Sequence, residues 1–184
     1  NRDVLLGTSH LFTRDVFCFW EDRGEVRMQL KPHAPGIRKF SEQALTAKAR
    51  TIIKSMRASK DSGKAVMFYS CIIGSIPGQT ATAIKVADTF VRSLRERLDQ
   101  GFIINPAEYF EPGMDGDDLM FMWEQVQRSG LINIWRFQSM EDIEASFGLM
   151  GLKVPPVWSG KDATFSTGCT KEMRIALDMQ RSHP

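Results

Sequence analysis

Three short stretches of the chain carry residue types that could bind phosphates or metal ions. In the first, Gly116-Asp117-Asp118, two adjacent carboxylates stand before the apolar run Leu119–Trp123. Two unit charges about 4 Å apart repel by about 4 kcal/mol at an effective dielectric of about 20, and a cation between them reverses that sign. Hard divalent ions such as Mg²⁺ prefer carboxylate oxygens. The alternatives are a plain surface turn and a metal-binding hairpin, and the apolar flank favours the hairpin.

The second stretch is "SCIIGSIPGQTATAI", residues 70–84, which is typical of a strand, a loop and the start of a helix. Backbone N–H groups in this context can bind a phosphate group. The stretch is not a Walker A loop, because no Gly-Lys-Ser/Thr follows at the required place. An ordinary connection with a turn at Pro77-Gly78 is the alternative interpretation.

The third stretch contains Lys153, which precedes Val154-Pro155-Pro156 and follows an apolar helical segment. A lysine in a loop is usually solvated. A lysine held rigidly beside a triphosphate could instead donate a proton to the leaving group.

Composition sets limits on the class of protein. The 184 residues carry a net charge of +2, and their length suits about one domain. Three cysteines without short spacing argue against a disulfide framework and favour a reducing compartment. Neither a CxxC nor an HExxH zinc motif occurs, and no apolar run approaches the ~20 residues of a membrane span.

The segment from Arg38 to Lys64 contains eight basic residues and two acidic ones. This excess of positive charge predicts either a solvated helix face or a contact to a nucleic-acid backbone.

Hydrophobic periodicity predicts alternating strands and helices, and therefore an α/β or α+β fold. The segment 115–129 has features of both strand and helix, and Ser139 is expected to cap the helix that follows it. We expect a β-hairpin over 14–31, helices over 38–60, 81–100, 139–151 and 170–181, and strands over 65–73, 102–104 and 131–137.

The order of the three stretches resembles the palm region of viral RNA-dependent RNA polymerases, most closely those of reovirus-like double-stranded RNA viruses. In that family a Ser/Gly loop ending in Thr opens a helix, and Gly-Asp-Asp follows about forty residues later. Here Asp117 stands 42 residues after Ser75. "EASFGLMGLKV" resembles the family's next helix and lysine, and "STGCTKEMRIA" resembles the element that supports the primer end. The resemblance covers roughly residues 65–177.

The resemblance implies template-directed RNA synthesis by a two-metal mechanism. Asp117, Asp118 and an upstream Asp15 would hold Mg²⁺ or Mn²⁺ ions, and Lys153 would donate the proton to pyrophosphate. The family's Asn that reads the ribose falls on Ile84, so that Asp88, one turn later, is the candidate substitute. The residues implied to contact template and nucleotide are Ser75, Gly78, Gln79, Thr80 and Asp88.

The same resemblance implies an α+β fold with a palm-like antiparallel sheet and packed helices. Residues 1–64 would form a hairpin and a basic helical segment at the junction of fingers and palm, and residues 65–184 the palm core. The chain would be part of a larger polymerase with fingers and thumb. Its partners would be RNA template and product, nucleoside triphosphates and inner capsid proteins, with no membrane, in the virion interior or the host cytoplasm.

Two other functions remain open from the residues. One is a flavodoxin-like or other nucleotide-binding α/β domain, with Ser75–Thr80 as its phosphate loop. The other is a non-enzymatic RNA-binding domain that uses the basic helix, with Asp117-Asp118 as an ordinary turn.

Overall fold

The computed structural model of this chain describes residues 17–22, 25–30 and 40–182. The chain divides into two compact units, Asn1–Ser41 and Glu42–Pro184, so the basic helix belongs to the same unit as the later strands. In the first unit, β1 (Phe17–Asp22) pairs antiparallel with β2 (Glu25–Leu30), in agreement with the hairpin predicted for this region.

The second unit alternates strands and helices as the periodicity predicts. Two short 3₁₀ turns, Pro106–Tyr109 and Ala163–Phe165, interrupt its loops. Its elements are α1 (Glu42–Asp61), β3 (Ala65–Ser70), α2 (Thr80–Arg97), β4 (Gly101–Ile104), α3 (Gly116–Gln127), β5 (Ile134–Phe137), α4 (Met140–Leu149) and α5 (Thr167–Ser182).

The sheet of this unit is parallel, so the prediction of an antiparallel palm-like sheet is wrong. Its three strands lie in the order β4, β3, β5, and the central strand β3 pairs in parallel with both neighbours. The physical reason is the connection between strands. A helix follows each strand and carries the chain back to the opposite end of the sheet, whereas antiparallel neighbours are typically joined by short hairpin turns.

The helices cover both faces of the sheet. Phe68 of β3 contacts Trp123 of α3, with ring centroids 5.5 Å apart. The next residue, Tyr69, points to the other face and stacks on Phe90 of α2 at 5.2 Å. Because successive side chains of a strand alternate between faces, α2 and α3 lie on opposite sides of β3. Helix α2 packs against α4 on one side, while α3 packs against α1 and α5 on the other.

Two helix starts follow directly from local sequence. Ser139 accepts a hydrogen bond from the Asp142 backbone N–H and forms a capping box, which confirms the predicted cap of α4. On α1 the buried residues recur at helical spacing, at Leu45, Ala49, Ile52 and Met56. Across the described ranges, no helix combines the length and apolar character that crossing a bilayer requires.

Candidate functional site

Gly116-Asp117-Asp118 begins helix α3 and does not form the tip of a hairpin. Asp115 is the N-cap: its carboxylate accepts the Asp118 N–H at 2.8 Å, and the Asp118 carboxylate accepts the Asp115 N–H at 3.3 Å. This capping box holds Asp118 buried, while Asp117 is partly exposed. Negative side chains in the first turn also interact favourably with the helix dipole. The capping box therefore accounts for Asp118, and the helix dipole favours the adjacent Asp117 in the same turn.

The predicted metal site has no counterpart among the residues that the structure describes. Within them, no group of three or more His, Cys, Asp or Glu side chains is arranged to hold a metal ion. Asp15, the third expected ligand, lies outside the described residues. The assignment of Asp117, Asp118 and Asp15 to Mg²⁺ or Mn²⁺ therefore stays a prediction.

The loop Ser75–Thr80 connects the carboxyl end of β3 to the start of α2. Ser75 contacts Ser166 at the start of α5, with the two hydroxyl oxygens 2.9 Å apart. Gln79 accepts a hydrogen bond from the indole N–H of Trp158 at 3.1 Å, and its side chain does not cap α2. Gly78 makes the turn at φ 70°, a conformation that favours glycine. The loop is thus held from two sides while the first turn of α2 has no side-chain cap.

Two other predicted site residues, Asp88 and Lys153, belong to other elements of the chain. Asp88, in the middle of α2, accepts a hydrogen bond from Asn105 Nδ2 at 2.7 Å, and burial raises the pKa of its carboxyl group. Lys153 is exposed in the segment that follows α4. Asp88 therefore binds Asn105, the residue that follows β4. Lys153 has the solvated position that is usual for a loop lysine.

The carboxyl ends of the three strands share one edge of the sheet, and a buried carboxyl group lies there. Glu172 of α5 is 6% exposed. One of its oxygens accepts a hydrogen bond from the hydroxyl of Ser70, the last residue of β3, and the other accepts from Gln127 Nε2 at 2.9 Å. Burial raises the pKa of Glu172 from 4.5 to about 7, although both hydrogen bonds act to lower it.

Neither hydrogen-bond partner of Glu172, Ser70 or Gln127, carries a charge, in contrast to the partner of the buried Asp142. Asp142, 3% exposed, pairs with the guanidinium of Arg136 at 2.6 Å. Glu172 instead has neutral neighbours, including the thiols of Cys71 and Cys169. Burial raises the pKa of both thiols, that of Cys169 to about 12. The arrangement keeps Asp142 in an ion pair and leaves Glu172 to gain or lose a proton near neutral pH.

Sequence reasoning did not single out Glu172, which lies within "STGCTKEMRIA". A signal was present: the buried positions of α5 are Cys169, Glu172 and Ile175, at a spacing of three residues. An acidic residue in the apolar stripe of an amphipathic helix is unusual, because buried carboxyl groups need partners. The partners, however, come from elements far away in the chain.

The chain has no match among protein-family models, curated proteins or solved structures.

Proposed function

We propose that residues 42–182 form a nucleotide-binding α/β catalytic domain that holds its ligand at the carboxyl edge of the parallel sheet, with Glu172 as general acid and base. The observation that carries this proposal is the buried Glu172 carboxyl group at the end of the central strand, with a pKa of about 7. A buried acidic group whose pKa is moved to the operating pH is a frequent mark of a catalytic site.

The protonation behaviour of Glu172 supports acid–base chemistry. A general acid or base works best when its pKa lies near the working pH, because both protonation states are then well populated. The Ser70 hydroxyl and the Gln127 amide orient the carboxyl group from two elements, β3 and α3. In the proposed reaction Glu172 takes a proton from an attacking water as the water oxygen bonds to the ligand, and returns that proton to the group whose bond to the ligand breaks.

The strand–loop–helix connection after β3 supports a nucleotide as the ligand. In open α/β sheets, ligands bind outside the carboxyl ends of the strands, where the strand order reverses. The chain runs from β3 to β4 on one side and then crosses to β5 on the other. At this edge the loop Ser75–Thr80 leads into the first turn of α2, whose N–H groups suit a phosphate.

The experiment is calorimetric titration of the whole chain with free nucleosides, nucleoside mono-, di- and triphosphates, and inorganic phosphate, followed by chromatography of the ligands that bind. We expect one of the nucleosides or nucleotides to bind and to be converted. Glu172→Gln should retain the affinity and lose the conversion, while Glu144→Gln, at an exposed position of α4, should match the original protein. Absence of binding by every compound, or full conversion by Glu172→Gln, would contradict the proposal.

The polymerase hypothesis stays a prediction that rests on the order of the motifs. It assigns nucleotide and template contacts to Ser75–Thr80 and Asp88, metal binding to Asp117 and Asp118, and proton donation to Lys153. Its test is metal-dependent nucleotide incorporation by the full polypeptide with Mg²⁺ or Mn²⁺. Under this hypothesis Asp117→Asn abolishes incorporation, whereas under the nucleotide-binding proposal Asp117 is a residue of the first helical turn without a catalytic role.

A further inference from the structure

Gln127, in the last turn of α3, has a buried side-chain amide of which only the nitrogen atom has a hydrogen-bond partner among the described residues. Its side chain is 1% exposed, and Nε2 donates to Glu172. Its Oε1 has no hydrogen-bond partner among the described residues. An unpaired buried acceptor costs about 1–3 kcal/mol. The cost suggests a role for the amide beyond packing.

Both partners of Glu172 can bond to either of its protonation states. A hydroxyl group such as that of Ser70 both donates and accepts, and a carboxamide donates through its nitrogen and accepts through its oxygen. Neither is a fixed cation that would hold Glu172 in its charged form. For Gln127, a half-turn of the amide exchanges the donor for the acceptor. Because Oε1 holds no other partner, this rotation breaks only the bond to Glu172.

We propose that Gln127 is a positioning residue that follows the protonation state of Glu172. With the carboxylate, Nε2 donates as the structure shows; with the carboxylic acid, the amide is reversed and Oε1 accepts the acid proton. The proton itself comes from the ligand or from solvent and returns there, and Gln127 neither gains nor loses one. The inference rests on the proposed function, in which the Glu172 carboxyl group must keep its hydrogen-bond partners in both protonation states.

The titratable groups on the elements packed around Glu172 are two thiols and several charged side chains. Cys71 follows β3, and Cys169 lies one turn earlier on α5; burial raises the pKa of both thiols. Arg128 pairs with Glu124 and Asp178, and Arg136 pairs with Asp142. Asp118 belongs to the capping box of α3, Asp162 caps the turn Ala163–Phe165, and Asp88 accepts a hydrogen bond from Asn105. On α5 itself, Lys171 is partly exposed and Arg174 is exposed.

The direct test is an NMR pH titration of the whole chain without ligand, recording the Glu172 carboxyl carbon and the glutamine side-chain NH₂ signals. We expect the Gln127 NH₂ signals to move with the same midpoint as Glu172, near pH 7. Gln125 is the matched control on the same helix, because its Nε2 donates to the Phe121 carbonyl at 3.0 Å and its signals should stay constant. Gln127 signals that stay constant while Glu172 titrates would overturn the inference.

A variant gives a second measurement. Gln127→Met keeps the length and loses the amide, so the carboxylate loses a donor and the Glu172 midpoint should rise by about one pH unit. Gln125→Met should leave the midpoint in place. An unchanged midpoint in a folded Gln127→Met protein would also overturn the inference. The NMR titration contains no ligand, so it is independent of the calorimetric experiment. If the Gln127 signals move with Glu172 but no nucleotide binds, the inference is supported and the proposed function fails.

Discussion

Ser70 and Glu172 are hydrogen-bonded across 102 positions of sequence, joining the end of the central strand to the second turn of α5. The contact places a carboxyl group at the edge of the sheet where the loop Ser75–Thr80 begins its path to α2. Burial of Glu172 among β3, α3 and α5 raises its pKa to about 7, although the hydrogen bond from Ser70 acts to lower it. The contact with Ser70 therefore fixes the position of the proposed catalytic group, while burial sets its proton affinity.

The raised pKa of Glu172 makes folding stability depend on pH. Between pH 4.5, its ordinary pKa, and about 7, the folded protein retains a proton that the unfolded chain has lost. The free energy of unfolding should therefore fall as pH rises through this window, by about 3 kcal/mol from this group. Urea unfolding at pH 4.5 and pH 8 measures the fall. In Glu172→Gln this part of the fall should be absent, and in Glu144→Gln it should persist.

The capping box of α3 predicts different costs for neighbouring aspartates. Asp115→Ala removes the acceptor for the Asp118 N–H and should lower the free energy of unfolding by about 1 kcal/mol. Asp117→Asn loses only a favourable charge near the helix N-terminus and should cost less than about 1 kcal/mol. Urea unfolding with and without Mg²⁺ measures both. Stabilisation by Mg²⁺ that disappears in Asp117→Asn would instead favour the metal prediction.

The Arg136–Asp142 pair should contribute more to stability than an exposed pair does. Arg136→Met leaves the carboxylate of Asp142, 3% exposed, without its cationic partner, and we expect a loss of about 2 kcal/mol. Arg128→Met, which removes half-exposed pairs with Glu124 and Asp178, should cost less than about 1 kcal/mol. Thermal or urea unfolding of the two variants gives the comparison, and equal losses would contradict the expectation.

The Ser75–Ser166 contact should affect ligand binding more than stability. Ser75→Ala removes a hydrogen bond between a partly exposed serine and the buried Ser166, and should weaken nucleotide affinity about fivefold, equivalent to about 1 kcal/mol. Ser166 also caps α5, since its Oγ accepts the Cys169 N–H at 3.3 Å. Ser166→Ala should therefore lower the free energy of unfolding by about 1 kcal/mol as well. Calorimetry and urea unfolding of both variants separate the two effects.

Local patterns predicted most of the helices and strands of the second unit. The apolar run at 65–73 contains β3, the helical periodicity of 38–60 contains most of α1, and the cap at Ser139 begins α4 as expected. These features depend on residues within a few positions of one another, so they can be predicted from the local sequence. The sequence of segment 115–129 fits both a strand and a helix. The capping box between Asp115 and Asp118 starts a continuous helix there, from Gly116 to Gln127.

The sequence by itself determined where strands and helices alternate, because periodicity and capping act over a few residues. Only the tertiary structure decided that the sheet is parallel, that Asp118 belongs to a helix cap and that Glu172 is buried beside Ser70 and Gln127. The pKa of Glu172 depends on removal of water by β3, α3 and α5 together. Such desolvation is a property of packed elements, and no local pattern in the chain encodes it.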